Sequence, residues 1–109
     1  MRKFERPPDL QVELGLFSTE ESGLQQSLPQ RCRLPNDFGL EGEMNDGMYM
    51  FKGEPPSPGE TGLAELWLLI PERNAGRLQA GSKFYPWHMR LIGEGTVREV
   101  INPVLRLQA

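Results

Sequence analysis

The chain has 109 residues, a net charge of −3 and one cysteine, which bounds it to one domain, excludes an internal disulfide and does not favour a strongly nucleic-acid-binding domain. A domain of this length buries roughly 60–70% of the surface of its unfolded chain, enough for one core without staples. Twelve glycines, ten prolines and 25% charged residues of mixed sign fit a folded chain of short strands and turns, and argue against extensive helix and against disorder.

Residues 1–9 are polar and carry two prolines, and read as an arm. They have the charges of a signal peptide but no apolar segment behind them. No apolar run nears the ~18 residues of a membrane helix, so a soluble cytoplasmic protein is expected. From Leu10 to Phe17 apolar residues alternate with Gln11 and Glu13, the pattern of a half-buried strand. Residues 18–30 read as a polar loop, in which Thr19 is placed to cap a single helical turn. Arg31–Leu34 reads as a short strand closed by Pro35-Asn36-Asp37. Asp46-Gly47 is a turn signal, and Met48–Lys52 reads as the strand after it.

Residues 54–59 hold three prolines, which remove donors and fix φ, so a rigid connector is expected. Leu63–Ile70 is the most apolar segment and reads as a central strand ended by Pro71. Turn residues Asn74 and Gly76 follow. Lys83–Ile92 is a β-type run in which Pro86 places part of the segment at an edge or bulge. Gly95–Ile101 reads as its partner, and residues 104–109 as a tail. Six short strands without a convincing helix predict a barrel or sandwich spanning residues 10–103.

The net charge hides an asymmetry. Between Asp37 and Glu65 there are seven acids and one base; between Arg73 and Arg106 there are six bases and two acids. Two faces of opposite sign are expected, and both serve solubility.

Few residues point to chemistry. Gly76 to Lys83 comes near a phosphate-binding loop, but Ser82 and Lys83 stand in the wrong order and a β-type run follows where a helix is needed. Gly93-Glu94-Gly95 lacks a third glycine and a βαβ setting, so the two glycines read as turn or bulge geometry. His88 and Cys32 would make a nucleophile and base only if the fold joined them, and no third group orients them. One histidine and one cysteine do not make a zinc site. Glu41, Glu43 and Asp46 lack calcium-loop spacing. No enzyme, metal or cofactor is expected. The cluster Phe84, Tyr85, Trp87 and His88 beside Lys83 and Arg90 fits a barrel core, a protein interface or a stacking platform for single-stranded nucleic acid.

One element carries a likeness. Gly81-x-x-Phe84 followed by Arg90-x-Ile92-Gly93-x-Gly95-x-Val97 resembles the last hairpin of the third, C-terminal domain of bacterial elongation factor Tu and related translation GTPases. The opening strand at Leu10, Pro58-Gly59 before the apolar strand and Pro71 after it fall in a compatible order, over about residues 9–101. The resemblance implies a six-stranded antiparallel Greek-key barrel. It also implies a link to translation, since that domain packs on a GTPase domain and contacts tRNA and the exchange factor.

The expected function is a non-enzymatic barrel that binds a protein partner. Lys83, Tyr85, Trp87, Arg90 and Arg98 are the candidate contacts, with Gly93 and Gly95 shaping the hairpin turn that presents them. RNA or tRNA binding through Lys83, Arg90 and Arg98 is the first alternative. The second is a mimic or immunity-type regulator of a translation factor or toxin.

Overall fold

A computed structural model describes residues 6–107. The chain runs β1 (Leu10–Leu16), a one-turn helix α1 (Thr19–Ser22), β2 (Arg31–Leu34), β3 (Asn36–Asp37), β4 (Gly47–Lys52), β5 (Thr61–Leu68), β6 (Lys83–Pro86) and β7 (Gly93–Val100), with 3₁₀ turns at Pro71–Asn74 and Pro103–Leu105. All strand pairs are antiparallel, and their order across the sheet is β2-β4-β5-β1-β7-β6-β3. The two outermost strands, β2 and β3, are consecutive in the chain and separated by Pro35 alone. The sheet is thereby nearly closed into a barrel.

Among the described residues the strands number seven, not six. The segment expected only to close β2 is itself a strand, in which Asn36 pairs with Pro86 and Asp37 with Tyr85. Asn36 still exchanges backbone hydrogen bonds with Asn45, at 3.2 and 2.9 Å, in continuation of the β2–β4 register. One strand interrupted at Pro35 thus bonds toward β4 on one side and, through β3, reaches β6 on the other.

The core follows strand alternation. In β1, Leu10, Val12, Leu14 and Leu16 are buried and the residues between them are half-exposed. Each such side chain contributes about 1.5–3 kcal/mol when fully buried. They meet Tyr49 and Phe51 of β4, Ala64, Leu66 and Leu68 of β5, Phe84 of β6 and Val97 of β7. Phe38 stacks on Phe84 with ring centroids 4.9 Å apart. Trp67 lies on the other face of β5 but is buried too; its indole Nε1 donates to the Arg6 carbonyl at 2.8 Å, so the segment before β1 covers it.

Several local expectations are corrected. Asp46-Gly47 is not a hairpin turn: Gly47 opens β4, paired with Leu34 on one side and Leu68 on the other. A β-carbon there would press on Leu66, so the glycine answers a packing demand. Ser18, not Thr19, caps α1, its hydroxyl accepting from the Glu21 N–H at 3.3 Å. The apolar strand ends at Leu68, and Leu69 and Ile70 lie exposed. The run from Lys83 leaves regular strand after Pro86.

Packing runs past both limits drawn at residues 10 and 103. Asp9 is fully buried. Its carboxylate accepts from Arg6 at 2.8 and 3.1 Å, from the Leu68 N–H at 2.6 Å and from Asn102 Nδ2 at 2.8 Å. Leu105 is fully buried as well, and the chain beyond it bridges back to Leu78. Among the described residues no helix is long and apolar enough to cross a membrane.

Candidate functional site

The barrel wall is incomplete at one seam. β2 bonds to β4 on one side, and among the described residues no strand is paired with it on the other. The chain that would face it is the continuation of β6. Trp87 still donates its backbone N–H to the Pro35 carbonyl at 2.9 Å, which fastens the hairpin to the β2–β3 junction. Beyond that point the hairpin turns away. Trp87 pairs with Leu91, and the His88 N–H donates to the Arg90 carbonyl at 2.9 Å. His88, Met89 and Arg90 therefore form a tight tip.

A cleft of about 640 Å³ lies at this seam. Its walls are residues 32–34 of β2, the loop from Gly23 to Pro29 and the hairpin tip. Gly23 turns the chain after α1 in the left-handed region at φ +78°. Arg90 lies against it, with Cζ and Nε each 3.3 Å from where a β-carbon would stand. Gln25, Gln26, Ser27, Arg33, His88 and Arg90 give the walls their polar character, and among the described residues no aspartate or glutamate lines them. In a chain of net charge −3 this is a basic cleft.

Met89 stands at the tip, 97% exposed. Its backbone sits at φ +66°, the only non-glycine residue in the left-handed region among those described. Such a conformation costs a residue with a β-carbon roughly 1–2 kcal/mol, and residues held this way cluster at binding and switch sites. Trp87 behind it buries its indole N–H with no acceptor among the described residues.

Cys32 and His88 both line the cleft. No hydrogen bond joins them among the described residues, and burial pushes the Cys32 thiol up to about 11. The sulfur is held as a thiol, a poor nucleophile. Among the described residues no group of three His, Cys, Asp or Glu side chains is placed to hold a metal ion.

The candidate contacts named from sequence divide into two groups. Arg90 belongs to the hairpin tip and Trp87 closes the hairpin behind it, paired with Leu91. Lys83 and Arg98 lie on strands and face partners there: Lys83 donates to Thr96 Oγ1 at 2.7 Å and stands 3.5 Å from Glu94, and Arg98 stands 3.8 Å from Glu13. Tyr85 is half-buried on β6, in register with Asp37. The near phosphate loop is a closed turn, in which Ser82 Oγ accepts from the Gln79 N–H at 3.0 Å.

Gly93 and Gly95 are corrected in role. Both lie inside β7 and neither has a positive φ. They are required by close approach: a β-carbon on Gly95 would overlap the Phe84 ring, and one on Gly93 would overlap the Gly15 carbonyl. Arg33, Met89 and the loop from Gly23 were not singled out from the sequence. The one signal for Met89 is an apolar residue between His88 and Arg90. No protein-family model matches the chain, and no curated protein matches it in sequence.

Proposed function

We propose that the chain is a non-enzymatic protein-binding module that engages its partner with the hairpin tip His88–Arg90 and the seam beside it. The observation that supports this most is Met89, an apolar side chain held out in solvent on a backbone that opposes it. Folding alone gains nothing from that arrangement, whereas a protruding, flexible, polarisable side chain is a common interface anchor. Arg90 beside it and Trp87 behind it belong to the residue types enriched where protein surfaces bind most strongly. The likeness of the Arg90–Val97 element to the third domain of elongation factor Tu supports a partner from the translation machinery. RNA binding through Lys83, Arg90 and Arg98 has less support, since Lys83 and Arg98 already face Glu94 and Glu13.

The test is site-specific crosslinking in the cells that make the protein. Benzoylphenylalanine at position 89 is expected to give a discrete protein adduct on irradiation, and the same residue at exposed Lys52, outside the cleft, is expected to give none. No adduct at position 89, or the same adducts at both positions, would sink the reading.

A further inference from the structure

Resting on that reading, we infer that the hairpin end, residues 87–91, is a two-state lid on the seam, and that the partner binds its open state. Two costs meet in this segment. Met89 holds a β-carbon in the left-handed region at φ +66°, which opposes it sterically. Trp87 keeps its indole N–H buried with no acceptor among the described residues, and a buried donor left unpaired bears its full loss of hydration. Both costs belong to the closed state. Turning the indole outward gives its N–H an acceptor in water or on the bound protein, and a freed tip lets Met89 return to an extended backbone.

The attachment of the segment supplies the hinge. β6 and β7 pair at Lys83 with Thr96 and at Phe84 with Gly95, and the hairpin pairs again only at Trp87 with Leu91. Two residues, Tyr85 and Pro86, thus face three, 92–94, and the ladder is broken by one residue. β3 still holds Tyr85 and Pro86, so the hinge falls just beyond Pro86. What holds the tip is short. The Ile92 N–H donates to the Pro86 carbonyl at 3.1 Å and the Trp87 N–H to the Pro35 carbonyl at 2.9 Å, and Arg90 lies against Gly23. Residues 88–90 are exposed, and a segment with few bonds and little burial opens locally. Because His88, Met89 and Arg90 wall the cleft, opening widens it. A partner that prefers the open state shifts the equilibrium by its difference in affinity for the two states.

The test is nitrogen-15 relaxation dispersion on the whole protein, read at both indole N–H groups and at the backbone amides of residues 88–90. Trp67, whose indole donates to the Arg6 carbonyl at 2.8 Å, is the internal control. Exchange with an open state populated at about 1–10% is expected at Trp87 and at the tip amides with one shared rate, and none at Trp67. Met89→Gly relieves the closed state and is expected to lower the open population about threefold or more. Arg90→Ala removes the contact with Gly23 and is expected to raise it. Both positions are exposed, so both variants are expected to fold, which urea unfolding checks. A tip without exchange, equal exchange at both indoles, or exchange that Met89→Gly leaves unchanged would overturn the inference. If the tip is rigid and position 89 still gives its adduct, the lid falls and the protein-binding reading stands. If the tip exchanges and position 89 gives no adduct, that reading falls, and with it the role assigned to the lid.

Discussion

The ring of Phe84 on β6 lies over the α-carbon of Gly95 on β7, filling the space a β-carbon there would need. The contact draws the two strands together at the base of the hairpin that ends in the seam. Phe84 is fully buried and stacked on Phe38, so the ring has no room to withdraw. Gly95→Ala is therefore expected to destabilise the fold by about 1–3 kcal/mol, the usual cost of overpacking a filled core. In a Phe84→Leu background the same change is expected to cost less, because the ring is gone. Urea unfolding of the four members of this cycle measures the coupling.

Asp9 ties three parts of the chain together, and its loss is expected to be severe. Asp9→Ala leaves the Leu68 N–H without its acceptor and Arg6 without its carboxylate, and breaking such a pair costs about 3–5 kcal/mol. Asp9→Asn keeps one oxygen acceptor and is expected to cost less than the alanine. Chemical unfolding of the two variants checks the order. An alanine variant as stable as the parent would show that residues 6–9 are dispensable.

Met89→Gly is expected to stabilise the protein while removing its function. Relief of the left-handed strain gains roughly 1–2 kcal/mol, and the added freedom of glycine in the unfolded chain takes back about 0.4–1 kcal/mol. A net gain of up to about 1.6 kcal/mol is expected in thermal or urea unfolding, with weaker partner binding. Met89→Ala keeps the β-carbon and the strain, so it is expected to lose binding without gaining stability.

Stability is expected to fall in the alkaline range. Burial raises the Cys32 thiol from 9.0 to about 11 and raises the fully buried Tyr49 hydroxyl well above its ordinary 10.0. For both groups the folded state holds its proton to higher pH than the unfolded state. Below pH 9 neither group makes stability depend on pH; above it the unfolded chain loses protons first, and stability falls as pH rises. Cys32→Ala is expected to flatten the part of the decline between pH 9 and 11, leaving the later part from Tyr49. Urea midpoints at pH 7, 9, 10 and 10.5 test this, and iodoacetamide is expected to label Cys32 far more slowly in the folded protein than in urea.

Much of the architecture was legible locally. The alternation from Leu10 to Leu16, the strand at Arg31, the apolar run before Pro71 and the proline-rich connector each follow from the two-residue period of a strand and from the fixed φ and missing donor of proline. An all-β barrel follows from their number and spacing. What the sequence alone could not decide was which element lies beside which. Gly93 and Gly95 read as turn glycines because a turn is the local demand that glycine meets; that Gly95 instead makes room for Phe84, eleven residues earlier, exists only once β6 pairs with β7. Asp9 reads as part of a polar arm because its partners Leu68 and Asn102 are far along the chain. The basic cleft is of the same kind. Arg33, His88 and Arg90 are ordinary surface residues in sequence, and they share one space only because the chain through β2 and β3 pairs with β6 at Asn36 and Asp37 alone, while the hairpin beyond Trp87 turns away.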